Sequence, residues 1–304
     1  MARIRAIHDL DAPMTDSTAS APSALGVIAV TGADAADFLR AQLTNDVMRL
    51  GHDRHFLAAW CDAKGRAQMI ARVCERDDGY WLVVPESLMA GLLKRLQMYV
   101  LRAAVKLQDC RDTLRVVAQR GPGLPEPSEV RAEADTVLLG LPVGSSGEPR
   151  ALNIARIDEP VEPDCLETSD PSWVAEEIDA GVPALCPATQ GQFVPQMLNL
   201  HWLEAIDFDK GCYPGQEVIA RLHYRGRLTR RMYRLFWHGD MPAPGSDVLD
   251  AAGERVGTVL YSAPYADEGR GVLLAVLKTS AAQASLATAQ ATLEAGQLPY
   301  PTPD

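Results

Sequence analysis

The chain has 304 residues, 47% of them hydrophobic and 23% charged, with a formal net charge of −11; this is the balance of a soluble globular protein with a substantial core in two or three domains. No apolar run reaches the roughly 18 residues that span a bilayer, and the basic start, residues 1–9, has no apolar core behind it to make a secretory signal. Six cysteines with no C-x-x-C pair support neither a disulfide framework nor a zinc or cluster site, so a cytoplasmic protein with no membrane partner is expected.

Residues 1–23 are rich in Ala, Ser, Thr and Pro without a period and read as a mobile tail. A first α+β domain is expected over 24–120. It opens with a strand at Leu25–Val30, a turn with Asp34 as candidate N-cap, and a helix from Ala35 to Leu43 whose Phe38, Leu39 and Leu43 share a face. His55–Cys61 and Arg66–Val73 form a hairpin about Asp62-Ala63-Lys64-Gly65, and Asp77-Asp78-Gly79 turns into a strand at Tyr80–Val84. Glu86 to about Leu101 is an amphipathic helix with Leu88, Leu92, Leu96 and Tyr99 at helical spacing. Strands at Ala104–Leu107 and Leu114–Ala118 follow, an order that indicates an α+β layer.

A second α+β domain, 121–231, begins in a Pro- and Gly-rich acidic stretch. Glu126 to Asp179 carries fourteen carboxylates against three arginines, which accounts for the whole net charge. Strands are expected at Val137–Leu141 and Leu152–Ile157, and a helix at Ser172–Ala180 closed by Gly181. From Met232 the pattern is all-β, with strands at Met232–Trp237, Glu254–Tyr261 and Val272–Leu277, which predicts a small C-terminal β-barrel over 232–304.

The densest chemistry lies between, in Lys210-Gly211-Cys212-Tyr213-Pro214-Gly215-Gln216-Glu217. Tyr-Pro-Gly is turn chemistry, and Gln216 to Leu222 is helical with Glu217 in the first turn. Cys212 then sits before a helix N-terminus and two residues from Lys210, both of which favour the thiolate and would lower its pKa; the alternative is a small buried hydrophobe. Arg221, Arg225, Arg227, Arg230, Arg231 and Arg234 fall within 14 positions beside His223. They read either as a site for an anionic ligand or phosphate backbone or as a solvated face paired with the acidic region.

The octapeptide resembles the K-G-C-Y-x-G-Q-E segment of the YgfZ family, folate-binding proteins linked to iron–sulfur enzymes and tRNA modification and related to the aminomethyltransferase (T-protein) of the glycine cleavage system. Phe38 to Val47, with Thr44-Asn45-Asp46, is similar to the family's helix and turn, and Leu57–Arg66 to its hairpin. Asp179-Ala180-Gly181-Val182-Pro183 is similar to its E-A-G-I-P element, and Gln192–Gln196 with Asn199-Leu200 to its lead-in to the octapeptide. The resemblance covers about residues 25–235. It implies an aminomethyltransferase-like fold of three domains around a central channel that binds tetrahydrofolate or a derivative.

Two departures set this chain apart. The T-protein has an acidic pair after the hairpin, where Arg66-Ala67-Gln68-Met69-Ile70-Ala71-Arg72 has no acid; a Met or Ile holds no proton-transfer role. An arginine expected just before the E-A-G-I-P element is Glu177, and the motif's Glu is Asp179.

The resemblance makes Asp179 the acceptor for a pterin's amino group and ring nitrogen, the alternative being a helix-terminal acid in solvent. Thr44, Asn45 and Asp46 face the channel or make local caps. Gln196 and Asn199 line the site or make structural hydrogen bonds, and Gln216 and Glu217 belong to the same folate set. Arg221 and Arg225 suit a folate's carboxylates. Tyr213 or Trp202 stacks on its rings, with core packing the alternative for Trp202. Lys210 supports Cys212 or pairs with Glu217. Three functions follow: a folate-dependent accessory protein for iron–sulfur enzymes or assembly factors, with an indirect tRNA link and Cys212 as its working thiol; a one-carbon transferase using Asp62; and a direct tRNA-binding module using the arginines.

Overall fold

The computed structural model describes residues 24–76, 79–133, 136–266 and 269–303. The tail expected over 1–23 and the Asp77-Asp78 half of one turn lie outside the described residues. The first sheet is built from β1 (Leu25–Thr31), β2 (His55–Cys61), β3 (Ala67–Arg76), β4 (Gly79–Pro85) and β5 (Lys106–Asp109), in the order β2-β3-β4-β1-β5. Every pairing is antiparallel. Two helices cover one face: α1 (Ala35–Gln42) through Phe38 and Leu39, and α2 (Glu86–Val100) through Leu88, Leu92 and Leu96. Tyr99, expected on that buried face, is 46% exposed and touches the core only by its edge, against Trp60. Asp34 does not cap α1; its carboxylate accepts from the Ala104 amide and ties the turn to the start of β5.

The other face of this sheet packs on a second one, in the order β10-β6-β9-β8-β7. Its strands are β6 (Leu114–Arg120), β7 (Val130–Glu133), β8 (Thr136–Leu141), β9 (Arg150–Arg156) and β10 (Leu166–Glu167). Val27, Cys74 and Val83 meet Val116, Leu139, Leu152 and Ile154 there, beside Trp173 of α3 (Pro171–Asp179). Sheets stacked this way bury alternate residues of each strand. The short edge strands β7 and β10 carry no apolar alternation and were not anticipated from the sequence. Asp170 caps α3, accepting from the Ser172 amide at 2.8 Å.

The third body is a closed barrel, β11-β14-β13-β12-β15-β16. It comprises β11 (Arg230–Gly239), β12 (Asp247–Asp250), β13 (Arg255–Pro264), β14 (Arg270–Lys278), β15 (Leu286–Ala287) and β16 (Ala291–Ala295). β14 is buried on both sides for a simple reason. Leu273, Ala275 and Leu277 fill the barrel, while Val272, Leu274 and Val276 point outward into the core shared with the first sheet. Between α3 and the barrel the chain is mostly irregular, with one 3₁₀ turn (Pro195–Leu198) and α4 (Gln216–Arg225). This segment is held by its own buried residues, Leu185, Phe193, Leu198, Leu200 and Ile206.

Candidate functional site

The octapeptide loop is anchored from beneath. Asp207 accepts from the amides of Asp209 and Lys210 through Oδ1, while its Oδ2 lies 2.8 Å from Arg49. The Lys210 side chain then turns inward and is 5% exposed. Its ammonium donates to the carbonyls of Arg40 at 2.5 Å, Leu43 at 2.5 Å and Asn45 at 3.1 Å. These carbonyls end α1 and its following turn, where a helix leaves acceptors without internal partners and favours a cation. All three ammonium hydrogens are committed, so Lys210 neither supports Cys212 nor pairs with Glu217, contrary to expectation. Burial pulls its pKa down to about 8. The Tyr213 ring lies 5.1 Å from the ammonium and is itself buried, so Tyr213 is part of this anchor.

Gly215 explains the Pro-Gly of the motif. Its φ is +80°, and a Cβ there would lie 2.5 Å from Gly65 Cα and 2.6 Å from the Asp62 carbonyl. The loop therefore interlocks with the β2–β3 hairpin turn through two side-chain-free backbones. Asp62 builds that turn: Oδ1 accepts from the amides of Lys64 and Arg66, and Oδ2 from Gln68 at 3.3 Å. Cys212 stands exposed at the loop's tip, whereas Cys61, Cys74, Cys110 and Cys186 are buried and Cys165 is half-buried. Glu217, Arg221 and Arg225 are exposed on α4, and Gln216 makes only a 3.5 Å contact to the Lys210 carbonyl.

The other polar residues singled out in the sequence do not converge on one cavity. Thr44 is fully buried, donates to the Ala205 carbonyl at 2.7 Å and accepts from the Ala59 amide at 2.8 Å. Asn45 donates to the carbonyls of Leu57 and Glu204. Asp46 caps the turn after α1 and meets Arg40 at 3.3 Å. Gln196 donates to the Ile219 carbonyl at 2.7 Å and Asn199 to the Met232 carbonyl at 3.1 Å, tying the 3₁₀ turn to α4 and β11. Hydrogen bonds to the backbone hold these side chains, while Gln196 Oε1 and Asn199 Oδ1 are buried without a partner among the described residues.

Asp179 is different. It is 3% exposed, not left in solvent; its Oδ1 meets Arg234 Nη1 at 3.3 Å and accepts from the Tyr265 hydroxyl at 3.2 Å. It lines a cleft of about 370 Å³ with Glu176, Pro171, Ala175, Pro264 and Tyr265. Glu176 stands one turn before Asp179 on α3 and shares its face. Glu176 Oε2 is buried and has no hydrogen-bond partner among the described residues. Any side chain on Gly144 would collide with this carboxylate. Burial, reinforced by Asp179, pushes the Tyr265 phenol pKa up, so its hydroxyl stays a donor. Glu176 and Tyr265 were missed in the sequence, where Glu176 carried a signal, its i, i+3 spacing from Asp179; Arg234 was read there only as one of the clustered arginines.

Between the three sheets, Arg72 of β3, Arg150 of β9 and Glu177 of α3 form a buried charge knot. Arg72 Nη2 is 3.2 Å from Glu177 Oε2 and Arg150 Nη2 is 2.9 Å from Oε1. Arg150 also donates to the Pro142 carbonyl and lies 5.0 Å from the Trp173 ring. Burial alone would raise the Glu177 pKa, but the two guanidiniums outweigh it and the net shift is downward. Arg72 borders two pockets, a mainly apolar one of about 70 Å³ that Glu177 also lines and one of about 270 Å³; Leu57 and Val182 likewise line both.

No family model matches the sequence. The chain is 31% identical over 263 residues to the tRNA-modifying protein YgfZ of Cronobacter sakazakii, covering 79% of this chain and 78% of that protein. It is 30% identical over 298 residues to the protein of that name from Yersinia pestis, covering 90% and 89%. To the one from an Enterobacter species it is 32% identical over 266 residues, covering 82% and 81%. Among solved structures, the fold is similar to that of the glycine cleavage system aminomethyltransferase T of Bartonella henselae, with a TM-score of 0.66 at 16% identity over 92% of this chain and 85% of the other.

Proposed function

The chain belongs to the family of the tRNA-modifying protein YgfZ, and from that premise we propose that it is a cytoplasmic folate-binding accessory protein. It supports assembly or repair of iron–sulfur enzymes, those that modify tRNA among them, with Cys212 as the working thiol. One observation carries the folate assignment: the two carboxylates of α3, Asp179 and the unpartnered Glu176, line an otherwise mainly apolar cleft beside the Tyr265 hydroxyl. A pterin presents an amino group and a ring N–H on one edge, and paired carboxylate oxygens are the acceptors that edge requires. Bound, the folate supplies a reduced pterin ring. The residues of this chain hold it: Glu176 and Asp179 accept its donors, Arg234 and Tyr265 orient Asp179, and Gly144 leaves room for Glu176.

Cys212 is set apart from that cleft by its exposure on a loop locked at both ends, by Lys210 and by Gly215. Such an accessible sulfur serves as a transient ligand for a client's metal centre, with the remaining ligands supplied by the client. Aminomethyl transfer is not favoured, because both Asp62 carboxylate oxygens are engaged in the hairpin turn.

Calorimetric titration with 5-formyltetrahydrofolate tests the site. Saturable binding is expected, weakened about tenfold to a hundredfold in Asp179→Ala and in Glu176→Gln, since each removes a charge-assisted hydrogen bond. Wild-type affinity in both variants sinks the assignment. For the thiol, Cys212→Ser should fold normally yet fail to restore cluster-enzyme activity in a strain lacking the protein; full restoration means the thiol has no such role.

A further inference from the structure

A separate cleft, of about 780 Å³, opens on the far side of the octapeptide helix. Its walls are the C-terminal end of α4 (Leu222, His223), the link to β11 (Arg227, Leu228), Arg231 of β11, and the turn after the Pro195–Leu198 3₁₀ segment, which brings His201 and Trp202. No carboxylate is found among the described residues that line it, in a protein whose net charge is −11. The cleft shares no lining residue with the Asp179 cleft or with the two pockets at Arg72.

Its chemistry comes in two kinds. The first is a run of flat rings. His201 packs against Trp202 with centroids 4.3 Å apart and the rings tilted by 34°, and the Arg231 guanidinium lies 5.7 Å from the Trp202 ring. His223 stacks on Phe208 at 3.7 Å, next to Tyr224, which is 65% exposed. Burial and the neighbouring His223 lower the His201 pKa to about 4, so near neutral pH its ring offers a π-face without a charge. The second kind is positive charge: Arg227 and Arg231 line the cleft, and Arg227 is exposed. Two acceptor-capable atoms, Gln196 Oε1 and His201 Nδ1, are buried in residues of the wall with no hydrogen-bond partner.

Rings and guanidiniums in one cleft, with no carboxylate among its described lining residues, form the pattern that recognises single-stranded nucleic acid. Bases stack on the rings and phosphates meet the arginines. A duplex offers phosphates but keeps its bases stacked inside, so it uses only half of this chemistry. An acidic protein segment likewise uses the charge and leaves the rings without a role.

We propose that this cleft is a binding site for an unpaired stretch of RNA, with a base against the Trp202 and His201 rings and a phosphate on Arg227. The site is independent of the folate assignment.

The test is fluorescence anisotropy with a short labelled single-stranded oligoribonucleotide and the whole protein, from low salt to about 200 mM KCl. Binding is expected to weaken steeply with salt. Arg227→Ala should flatten the slope of log K against log salt by about 0.7, the loss of one single-strand phosphate contact. Trp202→Phe should bind close to wild type, and Trp202→Leu about 5- to 100-fold more weakly. Arg131→Ala, on the exposed edge of the second sheet, should leave binding unchanged. Arg227→Ala should also keep wild-type affinity for 5-formyltetrahydrofolate, so failure here is separable from failure of the folate site. No binding at low salt overturns the proposal. So does an unchanged salt slope in Arg227→Ala, or equal loss in Arg131→Ala. Competition by duplex RNA as strong as by single strand overturns it too, and displacement by polyglutamate at equal charge would assign the cleft to an acidic protein segment instead.

Discussion

Replacing Lys210 by Met separates an anchoring role from a catalytic one. Methionine keeps the length and apolar stem of the side chain and removes the ammonium. Three carbonyls, of Arg40, Leu43 and Asn45, then lose donors that sit 2.5 to 3.1 Å away. An unsatisfied buried acceptor costs about 1–3 kcal/mol, so the gross loss is roughly 3–9 kcal/mol. Relief of the several kcal/mol needed to bury a charge offsets part of it. A net loss of about 2–4 kcal/mol remains, or roughly 3–6 °C in Tm for a chain of this size. Lys210→Arg should recover little, because a planar fork does not present three hydrogens to three converging carbonyls. Thermal melts with denaturant titration measure the loss, and the reaction rate of Cys212 with a chromogenic disulfide in native buffer measures the thiol. Stability within about 0.5 kcal/mol of wild type together with a much slower Cys212 would refute the reasoning and put the ammonium beside the thiol. The pH dependence has a definite sign: with the folded pKa lowered to about 8 from 10.5, the unfolded chain binds more protons between those values. Wild type should therefore gain on Lys210→Met as pH rises through that window.

Two further predictions concern folding and the motif loop. His55 is 3% exposed, with Nε2 2.8 Å from the Gly140 carbonyl; burial first, then the charge of Arg72, lowers its pKa to about 3. Its contribution is complete above about pH 6.5 and lost as pH falls toward 3, so denaturant titrations at pH 7 and pH 4 should differ by about 3 kcal/mol more in wild type than in His55→Gln; equal differences would mean His55 is not held neutral. Gly215→Ala combines a φ of +80° with a 2.5 Å approach to Gly65 Cα, and about 2–4 kcal/mol of destabilisation is expected. A smaller effect than at Gly253, which also has positive φ but open space around it, would show that the loop and the hairpin do not interlock.

The larger elements were legible because their signals are local. The periods of β1, α1 and α2, the β2–β3 hairpin turn and the alternation of the barrel strands each follow from a few adjacent residues. β7 and β10 were not legible, since a short edge strand answers to its neighbour in space. The octapeptide was readable as a turn before a helix, and Cys212 as its exposed chemistry, but the neighbour of Lys210 was misjudged. Two residues along the chain suggested Cys212, whereas the ammonium is held by carbonyls some 170 residues earlier. The same limit scattered the polar residues. Thr44, Asn45, Gln196 and Asn199 carry side chains that suit a ligand and a loop carbonyl equally well, and only packing decides between them.

One departure from the transferase pattern is fixed by packing. On α3, where the resemblance expects an arginine, this chain carries Glu177, which meets Arg72 of β3 at 3.2 Å and Arg150 of β9 at 2.9 Å. Breaking such a buried pair from one side costs about 3–5 kcal/mol, because the remaining charge has no compensation. Arg72→Met and Glu177→Gln should each show a loss of that order by denaturant titration. Their double variant should lose less than the sum, as directly coupled residues do. Restoring the opposite polarity is a different matter. In Arg72→Glu/Glu177→Arg the new guanidinium would face Arg150, which is wholly buried and 2.9 Å from the present Glu177 carboxylate. The swapped pair should therefore be less stable than either single variant unless Arg150 is also replaced, for example by Met. Wild-type stability in the two-residue swap would show that Arg150 does not fix the polarity. The expected result makes the polarity of this pair a property of the packed elements rather than of one position: an arginine cannot take the place of Glu177 while Arg150 stays opposite it.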